Sequence, residues 1–318
     1  MNPRRVSILL VNWNTKHVLL DCVGSVYETY PKCKEIIVVD NASTDDSVSC
    51  LREEYPLVHV VENTKNEGFA KACNQAIRAA SGDYMVCLNP DTVVLPNSID
   101  RMEEFLDGNE DVGMVGPMLL SADGTLQPSC RNFISTGNLL LQHLIPRKGA
   151  FQTLSKAMIL EYSDHNKIRD TDWLIGACLM IRRSAVEQVG LFDETFYHFY
   201  EDADLCYRMR KAGWRVVFFP DAKIIHYGGM SSEIRWGEET ILQNYRSKHN
   251  FIRKHYGGLH LLSHRGLISS LFLARLLLTP FESNGHDDAI PRSKKIELLK
   301  KALQVQWKDG QSSSGNGR

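Results

Sequence analysis

From Val6 to Leu88, four apolar runs alternate with segments of helical periodicity, and this alternation restricts the fold more than any other feature. Val6-Ser7-Ile8-Leu9-Leu10-Val11, Glu35-Ile36-Ile37-Val38-Val39-Asp40, Leu57–Glu62 and Tyr84-Met85-Val86-Cys87-Leu88 read as strands. Between them, Val18–Tyr30 recurs at helical spacing through Leu19, Val23 and Val26, and Asp45–Glu54 follows with Ser43 or Thr44 as its cap. A third helix, Gly68–Ala80, sets Ala70, Cys73, Ile77 and Ala80 on one face. Strands that are apolar throughout are buried on both faces, and strands joined through helices run parallel with right-handed crossovers. The expected fold is therefore α/β, a mostly parallel central sheet flanked by helices.

Past residue 92 the periodicity loosens. Ser98–Leu106 reads as a helix, and Val112–Val115, Trp214–Phe219 and Ile224-Ile225 read as strands. Residues 121–170 are irregular, with an Asp123-Gly124 turn, in the manner of a mobile loop over a site. The chain of 318 residues suffices for one large domain with an appendage. The expected division is 1–238 as the main domain, 239–308 as a helical, basic extension and 309–318 as a disordered tail rich in Ser, Gly and Asn. A net charge of −1 gives nucleic-acid binding no support. Eight cysteines without a CxxC pair argue against a zinc site and for reduced, buried thiols in a cytosolic protein. Val6–Val11 is too short for a signal-peptide core, and no run is long enough for a spanning helix.

Polar residues cluster where the strands end. Asn89-Pro90-Asp91 follows the fourth run, at the sheet edge where open α/β sheets bind ligands. A carboxylate there fits a hard cation holding a phosphorylated ligand, Mg²⁺ or Mn²⁺, and a plain Pro-Asp turn is the other reading. Asp40 ends the second strand, where it can accept hydrogen bonds from a base or ribose; the following Asn41-Ala42-Ser43-Thr44-Asp45 serves the helix cap. Asn63-Thr64-Lys65-Asn66-Glu67-Gly68-Phe69-Ala70 opens the third helix, so its N–H groups face an anion or simply form a polar loop. In His198-Phe199-Tyr200-Glu201-Asp202-Ala203-Asp204 three acids stand in a first helical turn beside aromatics. The helix dipole favours acids there, but three exceed what capping needs, and a carboxylate shielded by rings suits a general base. His226, after Ile224-Ile225, is placed to complete a metal shell with Asp91 or to serve structure alone.

Taken together these residues resemble the family 2 glycosyltransferases of GT-A fold, with a rhamnosyltransferase-like character, from Val6 to about Gly229. Val11-Asn12-Trp13-Asn14 is similar to the family's opening strand and turn at the nucleotide, and Asp40-Asn41-Ala42-Ser43-Thr44-Asp45 to its second-strand motif. Asn66-Glu67-Gly68-Phe69-Ala70 with Asn74 resembles the stretch near ribose and diphosphate. Asn89-Pro90-Asp91 stands where the family has DxD, with Asn89 in place of the first acid. Glu201-Asp202 matches the ED motif and His226 a histidine of the metal shell; Trp173, Gly176 and Ala177 correspond to the strand beside the acceptor pocket.

The resemblance implies a metal-dependent, inverting hexosyltransferase. Asn12, Asn14, Asp40, Asn41, Asn66, Gly68, Phe69, Asn74 and Asn89 would bind a nucleotide-diphospho-sugar, Asp91 and His226 would hold Mg²⁺ or Mn²⁺, and Asp202, with Glu201, would act as base. The donor it points to is dTDP-rhamnose, and the acceptor a glycan or polyprenyl-diphosphate-linked sugar in O-antigen or other cell-surface polysaccharide synthesis. Residues 240–281 contain no Asp or Glu but six Arg or Lys beside aliphatic runs, although the apolar residues do not all fall on one side. Such a segment lies in a membrane interface or packs as a helix pair with a solvated basic face; the lipid-linked acceptors favour a peripheral position on the inner face of the plasma membrane. Two other classes remain: a nucleotidyltransferase, which would need a Gly- and Arg-rich loop that Val11–Lys16 lacks, and a non-catalytic sugar-nucleotide or glycan-binding module.

Overall fold

The computed structural model describes residues 6–134, 165–228, 238–278 and 292–307, and the chain divides into two compact units, Met1–Ile234 and Arg235–Arg318. The first unit begins with β1 (Val6–Asn12), α1 (Lys16–Thr29), β2 (Glu35–Asp40), α2 (Ser47–Glu54), β3 (His59–Glu62), α3 (Phe69–Ala79) and β4 (Tyr84–Leu88). There follow β5 (Thr92–Val94), α4 (Ser98–Asp107), β6 (Val112–Leu120), β7 (Leu126–Gln127), β8 (Cys130–Arg131), β9 (Arg169–Asp170), β10 (Trp173–Leu174) and β11 (Cys178–Arg182). The unit closes with α5 (Arg183–Val189), α6 (Glu201–Lys211) and β12 (Arg215–His226). The main sheet runs β3-β2-β1-β4-β11-β6-β12-β5, with β7 on β6 and β9 on β12, while β8 and β10 pair separately. The four strands of the alternating region are parallel. β11 is antiparallel to both β4 and β6, β12 is parallel to β6, and β5 is antiparallel to β12. The sheet is thus mixed, parallel where the sequence alternates most clearly.

Successive strand residues face opposite sides, so each apolar strand feeds two cores. On one face Ile8 and Leu10 pack with Leu19, Val23 and Val26 of α1. On the other, Leu9, Ile37 and Val39 meet Ala70, Cys73 and Ile77 of α3. Each such large side chain contributes about 1.5–3 kcal/mol when fully buried. The eight cysteines are free thiols, most of them buried; burial pushes those of Cys22 and Cys87 up to about 12, which suits packing and not metal ligation.

Three local expectations change. The strand expected at Val112–Val115 runs on to Leu120. The two strands expected near 214–225 are one, β12, whose register against β6 shifts between Phe219 and Lys223, around Pro220. Proline cannot donate to the ladder, so it belongs at such a bulge. Neither Ser43 nor Thr44 caps α2: the helix starts at Ser47, whose N–H and hydroxyl both bond to Asp45. Most of 121–170, where a mobile loop was expected, lies outside the described residues (135–164), as does the tail from 309.

One buried cation ties the antiparallel insertion to the rest. At the end of β11, Arg182 donates from Nε to the Val112 carbonyl (2.9 Å) and from Nη2 to those of Leu106 (2.6 Å) and Asn109 (2.9 Å). Its guanidinium also lies 5.3 Å from the Tyr84 ring centre. These carbonyls close the α4–β6 turn, where those of Leu106 and Asn109 also accept the Asn109 and Val112 N–H groups, so a single fork adds a charged donor to each.

In the second unit, α7 (Glu238–Tyr256), α8 (Gly258–Leu278) and α9 (Arg292–Trp307) pack around Phe251, Ile252, Leu261, Ile268, Ala302 and Val305. His249 Nε2 meets Gln306 Oε1 at 2.9 Å, and Trp307 Nε1 donates to Ser269 Oγ at 2.9 Å. Leu259, Leu262, Leu273 and Leu277 of α8 stay 83%, 55%, 53% and 73% exposed. At about 3.6 residues per turn they form one stripe; the exposed apolar residues, unlike the apolar residues as a whole, do share a side. Among the described residues no helix is long and apolar enough to cross a membrane.

Replacing Arg182 by Met should lower unfolding stability by about 3 kcal/mol, because two buried carbonyls and one half-buried carbonyl lose a charged donor. Chemical denaturation measures this, and a loss below about 0.5 kcal/mol, the scale of an ordinary surface change, would show that the fork is dispensable.

Candidate active site

The site is built where β1, β2 and β4 end. The β1–β2 register sets Asn12 opposite Asp40. Asn12 Nδ2 donates to Asp40 Oδ1 (2.7 Å), and Ser43 adds its hydroxyl to Oδ1 (2.6 Å) and its N–H to Oδ2 (2.9 Å). Three donors leave one lone pair of a carboxylate open, on Oδ2. Asn14, at φ 53, accepts on Oδ1 from the N–H groups of Thr44 (2.6 Å) and Asp45 (3.1 Å), which holds the β1 and β2 loops together. The serine and threonine expected to cap α2 are thus spent on Asp40 and Asn14.

Asn41 reaches the next loop: its Nδ2 donates to the Gly68 carbonyl (3.2 Å), and its Oδ1 accepts from Asn63 Nδ2 (2.9 Å) and the Glu67 N–H (3.2 Å). Gly68 has φ +87, and a Cβ there would come within 2.8 Å of the Tyr197 ring, so both conformation and space require glycine. Asn66 Oδ1 accepts from the Gly68 N–H at 3.0 Å, and Phe69 opens α3 beside it. Asn74 does not join this group. Buried on α3, it donates to the Phe192 carbonyl and to Glu194 Oε1 (2.9 Å each) and accepts from the Phe192 N–H (3.0 Å), bracing the loop that leads to α6.

The Asn89 N–H still donates to the Ala177 carbonyl (2.9 Å), one step beyond the β4–β11 pairing, and β4 stops before Pro90, which has no N–H to offer. Asp91 is buried, and β5 begins at the next residue, pairing Thr92 with His226. The bulge in β12 and this pairing bring His226 Nε2 to 3.5 Å from Asp91 Oδ1. Gln127 fixes the imidazole: its Nε2 donates to the His226 carbonyl (2.7 Å) and to Ser121 Oγ (3.2 Å), so its Oε1 faces His226 Nδ1 (2.9 Å). Nδ1 therefore donates to Gln127, and Nε2 is left facing the carboxylate. An imidazole oriented through its other nitrogen, facing a carboxylate, is the donor set a divalent cation takes. Among the described residues no third His, Cys, Asp or Glu joins them, so ligand oxygens and water would fill the remaining positions, as they commonly do around Mg²⁺.

α6 starts with Glu201 and Asp202, both buried. Phe199 and Tyr200 before it lie at φ 68, Tyr200 as the N-cap. Asp202 Oδ2 accepts from the Gly176 N–H (2.9 Å) and Oδ1 from that of Ala203 (2.7 Å). A side chain on Gly176 would press on Oδ2 at 3.3 Å. Trp173, at the head of this segment, lies 6.0 Å from Tyr200, ring centre to ring centre. Burial pushes Asp202 up, to about 6, against the pull of the two N–H groups and Arg131. Burial, then the neighbouring Asp202 charge, raises Glu201 well above the carboxylate range, and its Oε2 has no hydrogen-bond partner. A carboxylate held by two N–H groups and poised near neutrality can take a proton from a hydroxyl.

Sequence reasoning missed Gln127, Ser43 and Tyr197. Gln127 and Tyr197 act across 99 and 131 residues of chain and left no local signal. Ser43 was legible as a polar residue after Asp40 but was read as a cap.

A sequence model of Glycosyl transferase family 2 matches residues 7–190. The chain is 30% identical over 238 residues, 70% of itself and 76% of the relative, to an N-acetylglucosaminyl-diphospho-decaprenol L-rhamnosyltransferase of Mycobacterium tuberculosis. It is 24% identical to a poly-beta-1,6-N-acetyl-D-glucosamine synthase of Staphylococcus aureus, across 86% of this chain and 63% of that one. Among solved structures, a mannosyltransferase from Pyrobaculum calidifontis in complex with GDP-Man and Mn²⁺ superposes with a TM-score of 0.57 at 16% identity, covering 96% of this chain and 85% of its own. GalNAc-T7 with UDP, GalNAc and Mn²⁺ gives 0.58 at 16% identity, over 94% and 55%. The fold is GT-A.

Since the folded-state pKa of Asp202 lies above its ordinary value of 3.8, its ionisation disfavours the fold. That cost is absent below the ordinary value and in full force above about 6. Thermal melts of Asp202→Asn should therefore gain on those of the wild type as pH rises from about 4 to about 7. A difference that stays constant or reverses across that range would contradict a raised pKa.

Proposed function

The chain belongs to the family 2 glycosyltransferases, and from that premise we propose that it is a metal-dependent, inverting transferase using a nucleotide-diphospho-sugar. The observation that carries this reading is the buried Glu201-Asp202 pair, with Asp202 oriented by the Gly176 and Ala203 N–H groups and its proton affinity raised. Asp202 takes the proton of an acceptor hydroxyl while that oxygen bonds to the anomeric carbon, and the bond from that carbon to the diphosphate breaks on the opposite face. One displacement inverts the anomeric centre.

Asn12, Asn14, Asp40 and Asn41 bind the nucleoside side of the donor, with the open lone pair of Asp40 as the acceptor for a base or ribose donor. Asn66, Gly68 and Phe69 present the start of α3 to the diphosphate. Asp91 and His226 hold Mg²⁺ or Mn²⁺, which when bound neutralises the leaving diphosphate; Asn89 lies beside them as a helper. Trp173, Gly176 and Ala177 border the acceptor, and Asn74 supports the site from behind. The rhamnosyltransferase among the relatives favours dTDP-rhamnose as donor, and a glycan or polyprenyl-diphosphate-linked acceptor in cell-surface polysaccharide synthesis. Residues 1–238 form the catalytic domain and 239–308 the extension. The exposed leucine stripe of α8, in a segment free of acids, favours seating on an anionic membrane surface at the inner face of the plasma membrane.

A thermal-shift screen of nucleotide-sugars with Mn²⁺ or Mg²⁺ identifies the donor. With it, Asp202→Asn should lower turnover by about 10²–10⁴-fold while nucleotide affinity holds, and EDTA should stop the reaction. Wild-type turnover in the variant removes Asp202 as the base; full activity in EDTA removes the metal.

The protein should float with vesicles containing phosphatidylglycerol and not with neutral ones, and Leu273→Glu with Leu277→Glu should weaken flotation. Equal flotation by the double variant overturns the role of the leucine stripe, and a wild type that floats with neither kind of vesicle overturns the membrane assignment.

A further inference from the structure

Resting on the glycosyl-transfer reading, we propose that Tyr197 is a positioning residue that latches the donor-side loop Asn66–Phe69 to the helix start bearing Glu201 and Asp202. Three independent features of this one residue meet that loop. Its carbonyl accepts the Phe69 N–H at 3.0 Å, its hydroxyl donates to Asn66 Oδ1 at 3.2 Å, and its ring occupies the space that a side chain on Gly68 would need. The neighbouring His198 ring meets Phe69 edge-on, 6.3 Å between centres. Tyr197 is 38% exposed, so general core packing does not explain this concentration of contacts.

The other end of the same segment is equally fixed. Tyr200 caps α6, its carbonyl accepts the Asp204 N–H at 2.9 Å, and its ring faces Trp173. From Tyr197 to Tyr200 the backbone passes through two left-handed residues, Phe199 and Tyr200, which leaves little slack between the loop and the acids. A diphosphate settling at the start of α3, on the N–H groups that follow Phe69, whose own N–H is held by Tyr197, fixes the adjoining Asn66–Phe69. Through Tyr197 that restraint reaches the first turn of α6, so the base is held in place when a donor is present. The two sides of the reaction are coupled by one side chain that touches neither reacting group.

The test uses the full chain with dTDP and Mn²⁺ as probe and Tyr197→Ala and Tyr197→Phe as variants. Hydrogen exchange in the wild type should slow on dTDP binding both at 66–69 and at 199–204. In Tyr197→Ala it should slow at 66–69 only. With donor and acceptor saturating, kcat per nucleotide-binding site should fall about tenfold in Tyr197→Ala and about threefold in Tyr197→Phe, which keeps the ring and loses one hydrogen bond. Adding Tyr197→Phe to Asn66→Ala should cost nothing further, since both remove the same bond. Equal protection of both segments in Tyr197→Ala, or unchanged kcat per site, overturns the latch and leaves the donor reading intact. No protection by dTDP anywhere in the wild type removes the donor reading as applied to this nucleotide and the latch with it.

Discussion

The register of β1 against its two parallel neighbours is the constraint on which the rest depends. It pairs Asn12 with Asp40 on one side and Leu10 with Leu88 on the other, so β1 and β2 end level with each other and β4 ends two residues short of them. A slip by one residue would turn every side chain of β1 to the opposite core and point Asn12 away from Asp40. The two apolar faces of β1, one packed on α1 and one on α3, forbid that slip. Hydrophobic burial thus fixes the alignment of polar groups that it does not touch. The loops leaving those ends then lock to one another through short side chains: Asn14 to Thr44 and Asp45, Asn41 to Gly68.

The acids at the start of α6 are handled differently. Two carboxylates on adjacent residues, both out of solvent, repel each other and lose hydration, which works against the fold when they ionise. The first turn of a helix offsets part of this with its free N–H groups, and the Gly176 N–H adds a donor from another element. Glu201 lacks such a donor on Oε2. The asymmetry separates the pair: Glu201 is raised well above the carboxylate range, and Asp202 to about 6.

Much of this was readable in the sequence because it is local. β1, β2 and β4 are mostly apolar and bounded by polar residues, and their limits follow from the residues themselves; Tyr84–Leu88 is a run with proline two residues beyond its end. Asp40, Asp91 and the Glu201-Asp202 pair could be assigned to strand ends and a helix start for the same reason. What could not be read is how distant partners meet. The sequence offers His226 beside Asp91 as one of two readings, but the bulge at Pro220 and the antiparallel pairing with β5 that bring it there have no periodic signature. Asn74, one helical turn from Ala70, reads equally well as facing a ligand, yet the loop at 192–194 claims both ends of its amide. Ser43 reads as a cap because capping and binding a carboxylate need the same hydroxyl, and only the true start of α2 shows that it serves Asp40.

Phe199 and Tyr200 are aromatic residues in a backbone region where glycine is at ease. Each costs on the order of 1–3 kcal/mol relative to a relaxed conformation. Glycine at either position would relieve that cost but free the segment in the folded protein as well as in the unfolded one. Selection for easy folding and selection for rate therefore pull on the same two residues in opposite directions.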